Sequence, residues 1–571
     1  MNKQKLYEAK KLENLRELVY DSAEKYGDNI AFIIKHKNGD KVEYENKTYK
    51  KLKEDINALG TSLIKLGLKN KRVAIIASNR YEWAVAYFAT VNGTGIVVPL
   101  DRSLPEAEIE SLLERSASDA IIFSDQYIDS MKKIKSENKT NIKHYICMDE
   151  TKEEFIQYKD LLTEGEKLIS NGDMSFINAE INSMEMSIIL YTSGTTSLSK
   201  AVMLSHENIV SNIYGLNCMV KVYPTDVSLA FLPLHHTFGS TGLFFFMSNG
   251  VTTAFCDGIK YIAQNLKEYK VSIYVCVPLL LESMHKKIVK EIEKMGKTNT
   301  IKIGAKVCNF LLKFGIDIRR KVFKQIIDSL GGHMRLAVSG AAAIDKEVLQ
   351  AFTNFGISVI QGYGLTETAP VLAAENDKFK RIGSIGVPLV NIEMKIDNPD
   401  EKGIGEIIAK GPNVMLGYYE EEELTKEVIK DGWFHTGDLG YMDKDGYTFV
   451  TGRKKNVIVL KNGKNIYPEE IETLISNLIY VDETMVFGFP KEDDLVVSAK
   501  IVYNKEYVES EYPNITKEEL ESKIWEDIKE INSGLSTYKH VKKIIVTDEP
   551  MIKTTTAKIK RFEEINKICN T

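Results

Sequence analysis

The stretch Tyr191-Thr-Ser-Gly-Thr-Thr-Ser-Leu-Ser-Lys200 carries six Ser or Thr hydroxyls and one glycine ahead of a lysine. The apolar run directly before it, residues 188–190, is typical of a buried strand. Hydroxyls, backbone N–H groups and a lysine are the groups that wrap a polyphosphate. The stretch is not a Walker A loop, because no Gly-Lys-Ser/Thr sequence ends it. Its chemistry alone leaves two interpretations open, a phosphate-binding loop or a Ser/Thr-rich surface turn.

Around this stretch, short strand-like runs alternate with helical periods. Residues 72–76 (RVAII) and 96–100 (IVVPL) are typical of buried strands, and an apolar stripe from Leu15 to Ala23 has helical spacing. The alternation predicts an α/β fold with largely parallel sheets. The glycine-rich run at 436–455 leads into a new series of short elements, which indicates a domain boundary nearby.

Composition sets limits on function. The chain has 571 residues, 43% of them hydrophobic and 27% charged, as expected for a folded protein of at least two domains. Its net charge of −5 gives no overall basic field, which argues against a nucleic-acid partner. The six cysteines are widely spaced and predict neither disulfides nor a zinc site. The amino-terminal residues lack the apolar segment of a secretion signal, so we expect a cytoplasmic protein.

Residues 286–324 have a different composition, with twelve Lys or Arg against three acidic residues, interleaved with apolar positions such as Phe310 and Phe314. Two interpretations are open: basic, solvated faces of ordinary helices, or a surface that faces a partner or the inner face of a membrane.

Further along the chain, several short motifs follow one another in a fixed order. A single histidine or a lysine near a chain end is most often a structural or solvated residue, so each motif alone is weak. They are FLPLHHTF (231–238), SGAAA (339–343), QGYGLTET (361–368), WFHTGDL (433–439), GRKK (452–455), KNGKNIYP (461–468) and TTTAKIKR (554–561).

Together with residues 191–200, these motifs resemble those of the adenylate-forming superfamily, which includes acyl-CoA synthetases, aryl-CoA ligases, peptide-synthetase adenylation domains and firefly luciferase. The resemblance covers roughly residues 14–565. It implies a large N-terminal domain of αβαβ layers that binds ATP and the acyl substrate, residues 1–453, and a small mobile α+β C-terminal domain, residues 454–571.

The resemblance also implies roles for individual residues. Glu367 would ligate Mg²⁺, Thr366 would bond the α-phosphate, His236 would lie beside the substrate carboxylate, and Lys558 would act in adenylation. Asp438 would accept hydrogen bonds from both ribose hydroxyls. The implied ATP and AMP contacts as a whole are Thr192, Ser193, Gly194, Thr195, Thr196, Lys200, Gly340, Ala341, Ala342, Gln361, Gly362, Tyr363, Gly364, Thr366, Asp438 and Arg453. Lys455 would be the hinge between the domains, and Gly463 and Lys464 would border CoA.

The implied reaction is the activation of a carboxylic acid by ATP and Mg²⁺ to an acyl adenylate, followed by thioester formation with CoA and release of AMP and pyrophosphate. The LPLHHTFG motif, the basic insert and the apolar run 242–247 are most similar to bacterial long-chain fatty acid CoA ligases, so we expect a medium- or long-chain fatty acid.

Two alternatives stay open. One is a fatty acyl-AMP ligase that loads the phosphopantetheine of an acyl carrier protein. The other is a non-catalytic acyl- or nucleotide-binding relative, because Ser197, Ser199 and Ala201 stand where the superfamily usually has Gly, Pro and Gly.

Overall fold

The computed structural model of the chain describes residues 4–39, 41–192, 199–461, 464–491, 494–553 and 559–569. Its described residues form two compact units. The first contains residues 4–192, 199–394 and 409–434, and the second contains residues 395–408 and the described part of 435–569. The domain boundary between residues 453 and 454 stays a prediction.

The strands of the described chain, in order, are β1 (Ile30–Asn38), β2 (Lys41–Thr48), β3 (Lys71–Ile76), β4 (Gly95–Pro99), β5 (Ala120–Phe123), β6 (His144–Cys147), β7 (Ile156–Gln157), β8 (Met186–Thr192), β9 (Lys200–Ser205), β10 (Val227–Ala230), β11 (Thr252–Phe255), β12 (Ile273–Cys276), β13 (Leu336–Ser339), β14 (Ser358–Gly364), β15 (Val371–Ala374), β16 (Val387–Pro388), β17 (Glu393–Asp397), β18 (Gly405–Lys410), β19 (Gly417–Tyr418), β20 (Ile429–Lys430), β21 (Trp433–Met442), β22 (Thr448–Arg453), β23 (Ile458–Val459), β24 (Asn465–Ile466), β25 (Val481–Lys491), β26 (Asp494–Tyr503) and β27 (Lys543–Thr547).

The helices are α1 (Leu15–Tyr26), α2 (Tyr49–Lys65), α3 (Tyr81–Ala89), α4 (Glu106–Arg115), α5 (Ile128–Glu137), α6 (Tyr158–Ser170), α7 (His206–Met219), α8 (Thr237–Met247), α9 (Ile262–Glu268), α10 (Pro278–Lys294), α11 (Thr298–Leu312), α12 (Arg319–Val322), α13 (Lys324–Ser329), α14 (Lys346–Phe355), α15 (Glu422–Val428), α16 (Pro468–Ser476), α17 (Lys505–Glu511), α18 (Lys517–Ser533) and α19 (Arg561–Cys569). Within the described ranges, no helix is both long enough and apolar enough to cross a bilayer.

The first unit is built on two large sheets. Among the described residues, one sheet has the strand order β16-β15-β14-β13-β12-β10-β11-β1-β2 and the other β19-β9-β8-β4-β3-β5-β6-β7. Strands β3, β4, β5 and β6 pair in parallel, and so do the pairs β10–β11, β10–β12, β12–β13 and β13–β14. The predicted α/β fold with largely parallel sheets is therefore confirmed.

Helices pack on both faces of the central strands of these two sheets, because those strands are buried on both sides. A core between the sheets contains Phe32, Val73 and Phe244. A second core lies under α9–α14 and contains Tyr274, and a third lies under α4 and α5. The result is a stack of alternating helical and sheet layers, as the resemblance to the adenylate-forming superfamily implies.

The second unit has a core of its own, in which α16 and α18 pack on β25 and β26. Pro468 opens α16, as its position before Glu469 and Glu470 predicts. A turn lies at Asp443–Gly446, where Asp443 Oδ1 accepts hydrogen bonds from the backbone N–H groups of Asp445 and Tyr447.

Candidate active site

Several predicted site residues lie at the carboxyl edge of the nine-stranded sheet. Gly340 follows the last residue of β13, and its backbone N–H donates to the carbonyl of Cys276, the last residue of β12 (3.2 Å). A Cβ atom on Gly340 would lie 2.8 Å from Phe238 Cζ and 3.3 Å from the carbonyl oxygen of Gly362. Three of the sequence motifs therefore meet here at distances that only glycine permits at position 340.

The neighbouring backbone is also unusual. Ala341 has a φ of +72°, a left-handed conformation that L-residues rarely adopt, and Ala342 is exposed. Such strain is common where the backbone must approach a ligand.

His236 occupies the position just before α8. Its Nδ1 accepts a hydrogen bond from the backbone N–H of Phe238 (3.4 Å), so the ring caps the helix. Nε2 of the preceding His235 lies 3.4 Å from Oδ2 of Asp101. The histidine pair therefore has two different environments, one at a helix end and one beside a carboxylate.

The end of β14 carries the 361–364 segment. The backbone N–H of Gln361 donates to Glu375 Oε2 (3.2 Å), and its side-chain Nε2 donates to the carbonyl of Ser384 (3.0 Å). A Cβ on Gly362 would meet no atom within 4 Å, so open space lies beside this strand end next to Tyr363. At Gly364 there is no room for a side chain, because a Cβ would lie 1.8 Å from the carbonyl oxygen of Pro370.

Glu367 is the centre of a short 3₁₀ turn, Thr366–Thr368, that follows β14. The hydroxyl of Tyr418 donates to Glu367 Oε1 (2.9 Å), and the Glu367 carbonyl accepts from the backbone N–H of Met415 (2.9 Å). Lys200 Nζ lies 5.0 Å from the centroid of the Tyr418 ring, within the range of a cation–π interaction.

The same arrangement links Glu367 to the first motif. Thr192, at the end of β8, pairs with Lys200, at the start of β9, and Tyr418 of β19 pairs with Val202 on the other side of β9. The carbonyl of Ser199 accepts a hydrogen bond from Arg115 (2.8 Å). Ser193, Gly194, Thr195 and Thr196 lie outside the described residues.

The chemistry around Glu367 fits a magnesium site. Mg²⁺ prefers oxygen ligands, keeps several waters and is commonly held by one or two carboxylates plus phosphate oxygens. The hydrogen bond from Tyr418 uses one of about four acceptor positions of the carboxylate. No group of three or more His, Cys, Asp or Glu side chains suited to a metal occurs in the described part of the chain, so the remaining ligands would come from substrate and water.

In the second unit, Asp438 and Arg453 face each other across β21 and β22. Arg453 Nε lies 2.7 Å from Asp438 Oδ1, and the Asp438 carboxylate is almost fully buried. The backbone N–H of Asp438 donates to Thr436 Oγ1 (3.0 Å). Two predicted nucleotide contacts are thus brought together.

Glu406 stabilises this hairpin through contacts with residues of β21 and with Lys454, which directly follows β22. Its Oε1 accepts from the backbone N–H of Gly437 (3.0 Å), and its Oε2 lies 3.1 Å from Lys454 Nζ and 3.3 Å from His435 Nδ1. Burial acts to raise the pKa of this carboxyl, but the hydrogen bonds from Lys454, His435 and Gly437 outweigh it and lower the pKa. An ionised Glu406 therefore fixes the turn that precedes Asp438.

Only some of the remaining C-terminal residues predicted to act in the site lie in the described part of the chain. Lys455 lies in an exposed 3₁₀ turn, Lys454–Asn456, and Lys464 Nζ lies 4.5 Å from the centroid of the Tyr538 ring. Gly463 and Lys558 lie outside the described residues.

The backbone on either side of the segment that carries Lys558 is well anchored. Lys553 and Ile559 form a β-bridge. The backbone N–H of Ile552 donates to Glu564 Oε1 (2.7 Å), and Lys500 Nζ lies 2.6 Å from Glu564 Oε2 in a buried ion pair. The ends of the segment are therefore held close together and tied to β26.

A narrow apolar pocket, with a cavity volume of about 20 Å³ and open in part to solvent, lies between α8 and the adjoining sheet. Its wall on the α8 side includes Gly242, Leu243 and Phe246, from the apolar run noted in the sequence. Its opposite wall includes Phe231 and Val275. A Cβ on Gly242 would lie 3.0 Å from Val275 Cγ2, so the glycine keeps this end of the pocket free.

Comparison with known proteins agrees with this geometry. Residues 19–419 match the family described as AMP-binding enzyme, and residues 455–567 match the AMP-binding enzyme C-terminal domain. The chain belongs to the AMP-binding enzyme family. Like other members, it is an adenylate-forming enzyme that activates an acyl group, an AMP-forming acid–thiol ligase.

Similar members of the family come from distant organisms. The chain is 30% identical to long-chain-fatty-acid–CoA ligase 5 of Mus musculus, over 90% of this chain and 82% of that protein. It is 28% identical to the long-chain-fatty-acid–[acyl-carrier-protein] ligase AEE15 of Arabidopsis thaliana, over 95% and 83%. The o-succinylbenzoate coenzyme A synthetase of Bacillus subtilis, solved with ATP and magnesium ion, has the same fold with a TM-score of 0.70, at 23% identity over 96% and 98% of the chains.

Sequence reasoning about this AMP-binding enzyme missed Tyr418 and Glu406, which contact Glu367 and the 435–437 turn. It also missed Phe238 as the neighbour of Gly340 and Val275 as the wall opposite Gly242. Only Phe238 had a signal, its place at the end of the FLPLHHTF motif.

Proposed function

We propose that this AMP-binding enzyme activates a medium- or long-chain fatty acid with ATP and transfers the acyl group to CoA. The observation that carries the substrate assignment is the apolar pocket between α8 and the sheet. Its wall begins a few residues after His236, so a carboxylate held near His236 would direct an alkyl chain along Gly242, Leu243 and Phe246. Binding of an alkyl chain along such residues becomes more favourable with every methylene group that is buried.

In the first half-reaction the acid carboxylate attacks the α-phosphate of ATP, and pyrophosphate leaves. Thr366 donates to the α-phosphate, and Lys558 and Lys200 offset the negative charge that grows on the transferred group and on pyrophosphate. Magnesium held by Glu367, when bound, adds charge neutralisation at the phosphates. Holding acid and nucleotide side by side supplies much of the rate by proximity.

The adenosine moiety is assigned to two groups of residues. Tyr363, Gly340, Ala341 and Ala342 line the adenine side, where the open space beside Gly362 supports the assignment. On the ribose, the Asp438 carboxylate accepts from both hydroxyls and Arg453 donates. The Arg453–Asp438 ion pair orients the carboxylate before the nucleotide arrives.

In the second half-reaction a thiol attacks the acyl adenylate and AMP leaves. We assign Gly463 and Lys464 to the CoA side and Lys455 to the hinge of the C-terminal domain, residues 454–571. Rotation about Lys455 would withdraw Lys558 and bring the 463–464 loop into use, so that one site performs two reactions in turn.

The test is pyrophosphate release with Mg-ATP across carboxylic acids from acetate to palmitate and several aryl acids, each with and without CoA. Turnover that depends on CoA and peaks at one alkyl chain length supports the proposal. A preference for acetate or for aryl acids would contradict the fatty acid assignment.

A second acceptor has one specific observation in its favour. The carrier-protein ligase of Arabidopsis thaliana matches 95% of this chain. If holo acyl carrier protein, and not CoA, is acylated in the same assay, the enzyme loads a carrier protein.

A further inference from the structure

Helix α11 packs on the first unit through one face only. Ile301, Ala305 and Cys308, which are spaced three and four residues apart, contact the core under α9–α14. A Cβ on Gly304 would lie in ordinary contact with Phe323 and Val322, 3.5 Å away. These positions account for the whole inner side of the helix.

The outer face of α11 (Thr298–Leu312) and of the turn that directly follows it is also apolar. Ile303, Val307, Phe310 and Phe314 are spaced by four, three and four residues and so form one stripe. Their side chains are 62%, 50%, 59% and 68% exposed. The Phe310 and Phe314 rings contact edge to face, with centroids 5.3 Å apart. We call these four residues the outer stripe.

The charged side chains within residues 295–316 all have the same sign. Lys302, Lys306 and Lys313 are exposed and, at 100° per residue, project from the same flank of the helix, beside the stripe. Residues 295–316 contain four lysines and no acidic residue. Exposed large apolar side chains that form a patch usually mark an interaction site, and here the border of the patch is positive.

We propose that the outer stripe inserts into the surface of a bilayer that contains anionic lipid, with the three lysines contacting lipid phosphates. An amphipathic helix with aromatic and aliphatic residues on one face and lysines beside them binds in this way, parallel to the bilayer plane. Long lysine side chains reach the headgroup level while their methylene groups stay beside the apolar face. The proposal does not depend on which acid or acceptor the enzyme uses.

Charge favours a lipid surface over a second copy of the chain. A two-fold symmetric pair would bring the same patch from each copy together. The lysines of both copies would then face each other with no acidic residue between positions 295 and 316 to neutralise them. An anionic bilayer offers the opposite charge, at about fivefold in affinity for each lysine near the surface.

The test uses the full chain and sedimented vesicles of phosphatidylcholine alone or mixed with phosphatidylglycerol. We expect binding to the mixed vesicles, at least tenfold weaker binding to phosphatidylcholine alone, and loss of binding at high salt. The variant Phe310→Ser/Phe314→Ser should bind the mixed vesicles at least tenfold more weakly. The variant Lys302→Glu/Lys306→Glu/Lys313→Glu should no longer distinguish the two compositions.

Matched controls separate the patch from a general surface effect. Ile259→Ser/Met184→Ser removes apolar side chains of similar exposure elsewhere, and Lys517→Glu/Lys529→Glu reverses lysines on α18. Both controls should bind vesicles as the unaltered chain does. Pyrophosphate release without vesicles and the melting temperature should be the same for all variants, because no altered side chain lies in the active site or in a core.

A second measurement reports insertion directly. In the variant Phe310→Trp, tryptophan emission should shift to shorter wavelength and be quenched by brominated lipid in mixed vesicles. Unchanged emission, or equal vesicle binding by the stripe variants and their controls, would overturn the proposal. So would a dimer in sedimentation analysis that Phe310→Ser/Phe314→Ser converts to monomer.

Discussion

The Tyr418 hydroxyl donates a 2.9 Å hydrogen bond to the Glu367 carboxylate, although 51 residues separate the two along the chain. The bond joins the strand that flanks the phosphate motif to the residue we assign to magnesium. It fixes the direction of this carboxylate oxygen.

The variant Tyr418→Phe removes only this hydroxyl and keeps the ring beside Lys200. Hydrogen bonds to charged groups contribute about 1.5–3 kcal/mol, so we expect the Mg²⁺ concentration for half-maximal pyrophosphate release to rise about tenfold or more. Tyr419→Phe is the matched control, because the Tyr419 hydroxyl accepts from Arg72 (2.8 Å) instead. Superimposable Mg²⁺ curves for Tyr418→Phe and the unaltered enzyme would refute a positioning role.

The variant Glu367→Gln replaces the carboxylate with a neutral amide of the same shape. We expect pyrophosphate release to fall by at least about a hundredfold, with partial recovery only at high Mg²⁺. Glu420→Gln, at an exposed turn close to Tyr418 in sequence, should be normal. If the Mg²⁺ dependence of Glu367→Gln were normal, the metal assignment would be wrong.

The variant Lys558→Ala tests the division of labour between the half-reactions. We expect loss of pyrophosphate release from acid and ATP, but near-normal thioester formation from supplied acyl adenylate and CoA. Lys560→Ala is the control, because Lys560 forms a surface ion pair with Glu563 (3.0 Å). Equal loss of both half-reactions in Lys558→Ala would reject the assignment.

The variant Gly242→Val tests whether the pocket receives the alkyl chain. The new side chain must occupy space beside Val275, so kcat/KM for the longest accepted acids should fall about tenfold or more relative to shorter ones. Gly534→Val is the control, since a Cβ there meets no atom nearer than 3.6 Å. An equal loss of kcat/KM for acids of every length, with an unchanged melting temperature, would mean that the alkyl chain binds elsewhere.

A buried histidine predicts how stability depends on pH. His206 Nδ1 accepts from the backbone N–H of Leu15 (3.1 Å), so Nε2 carries the proton toward the carbonyl of Val91 (3.1 Å). Burial lowers the pKa of His206 to about 4. Below about pH 6.5 the His206 ring takes up a proton in the unfolded chain but not in the folded chain. The free energy of unfolding therefore decreases as the pH falls from about 6.5 to about 4.

The loss from His206 between pH 7.5 and pH 5 should be about 2 kcal/mol, at about 1.4 kcal/mol per pH unit below 6.5. Urea unfolding at both pH values measures it. His206→Gln should flatten the pH dependence, whereas His333→Gln, at an exposed site, should leave it steep. Parallel pH curves for the unaltered chain and His206→Gln would contradict the assignment.

The sequence predicts the helices, strands and turns better than it predicts which of them contact each other. Strand β3 follows from its apolar run, the start of α16 from Pro468, and the turn at Asp443 from turn-forming residues. Each of these signals acts locally along the chain. The contact of Tyr418 with Glu367 could not be predicted, because it depends on β19 pairing with β9, more than 200 residues away. Likewise, Ile301 and Ile303 have the same side chain, and only tertiary packing decides that the first contacts the core and the second faces solvent.

Strand β9 has antiparallel partners on both sides, β8 with Thr192 and β19 with Tyr418. A slip of one residue in the β19 pairing would turn Tyr418 to the opposite face of the sheet. The spacing between the phosphate motif and Glu367 is thus set by main-chain hydrogen bonds, which do not depend on side-chain identity. Substitutions in the pocket wall can therefore leave the Tyr418–Glu367 contact unchanged, so we expect acid selectivity to change by mutation without rebuilding the site that we assign to adenylation.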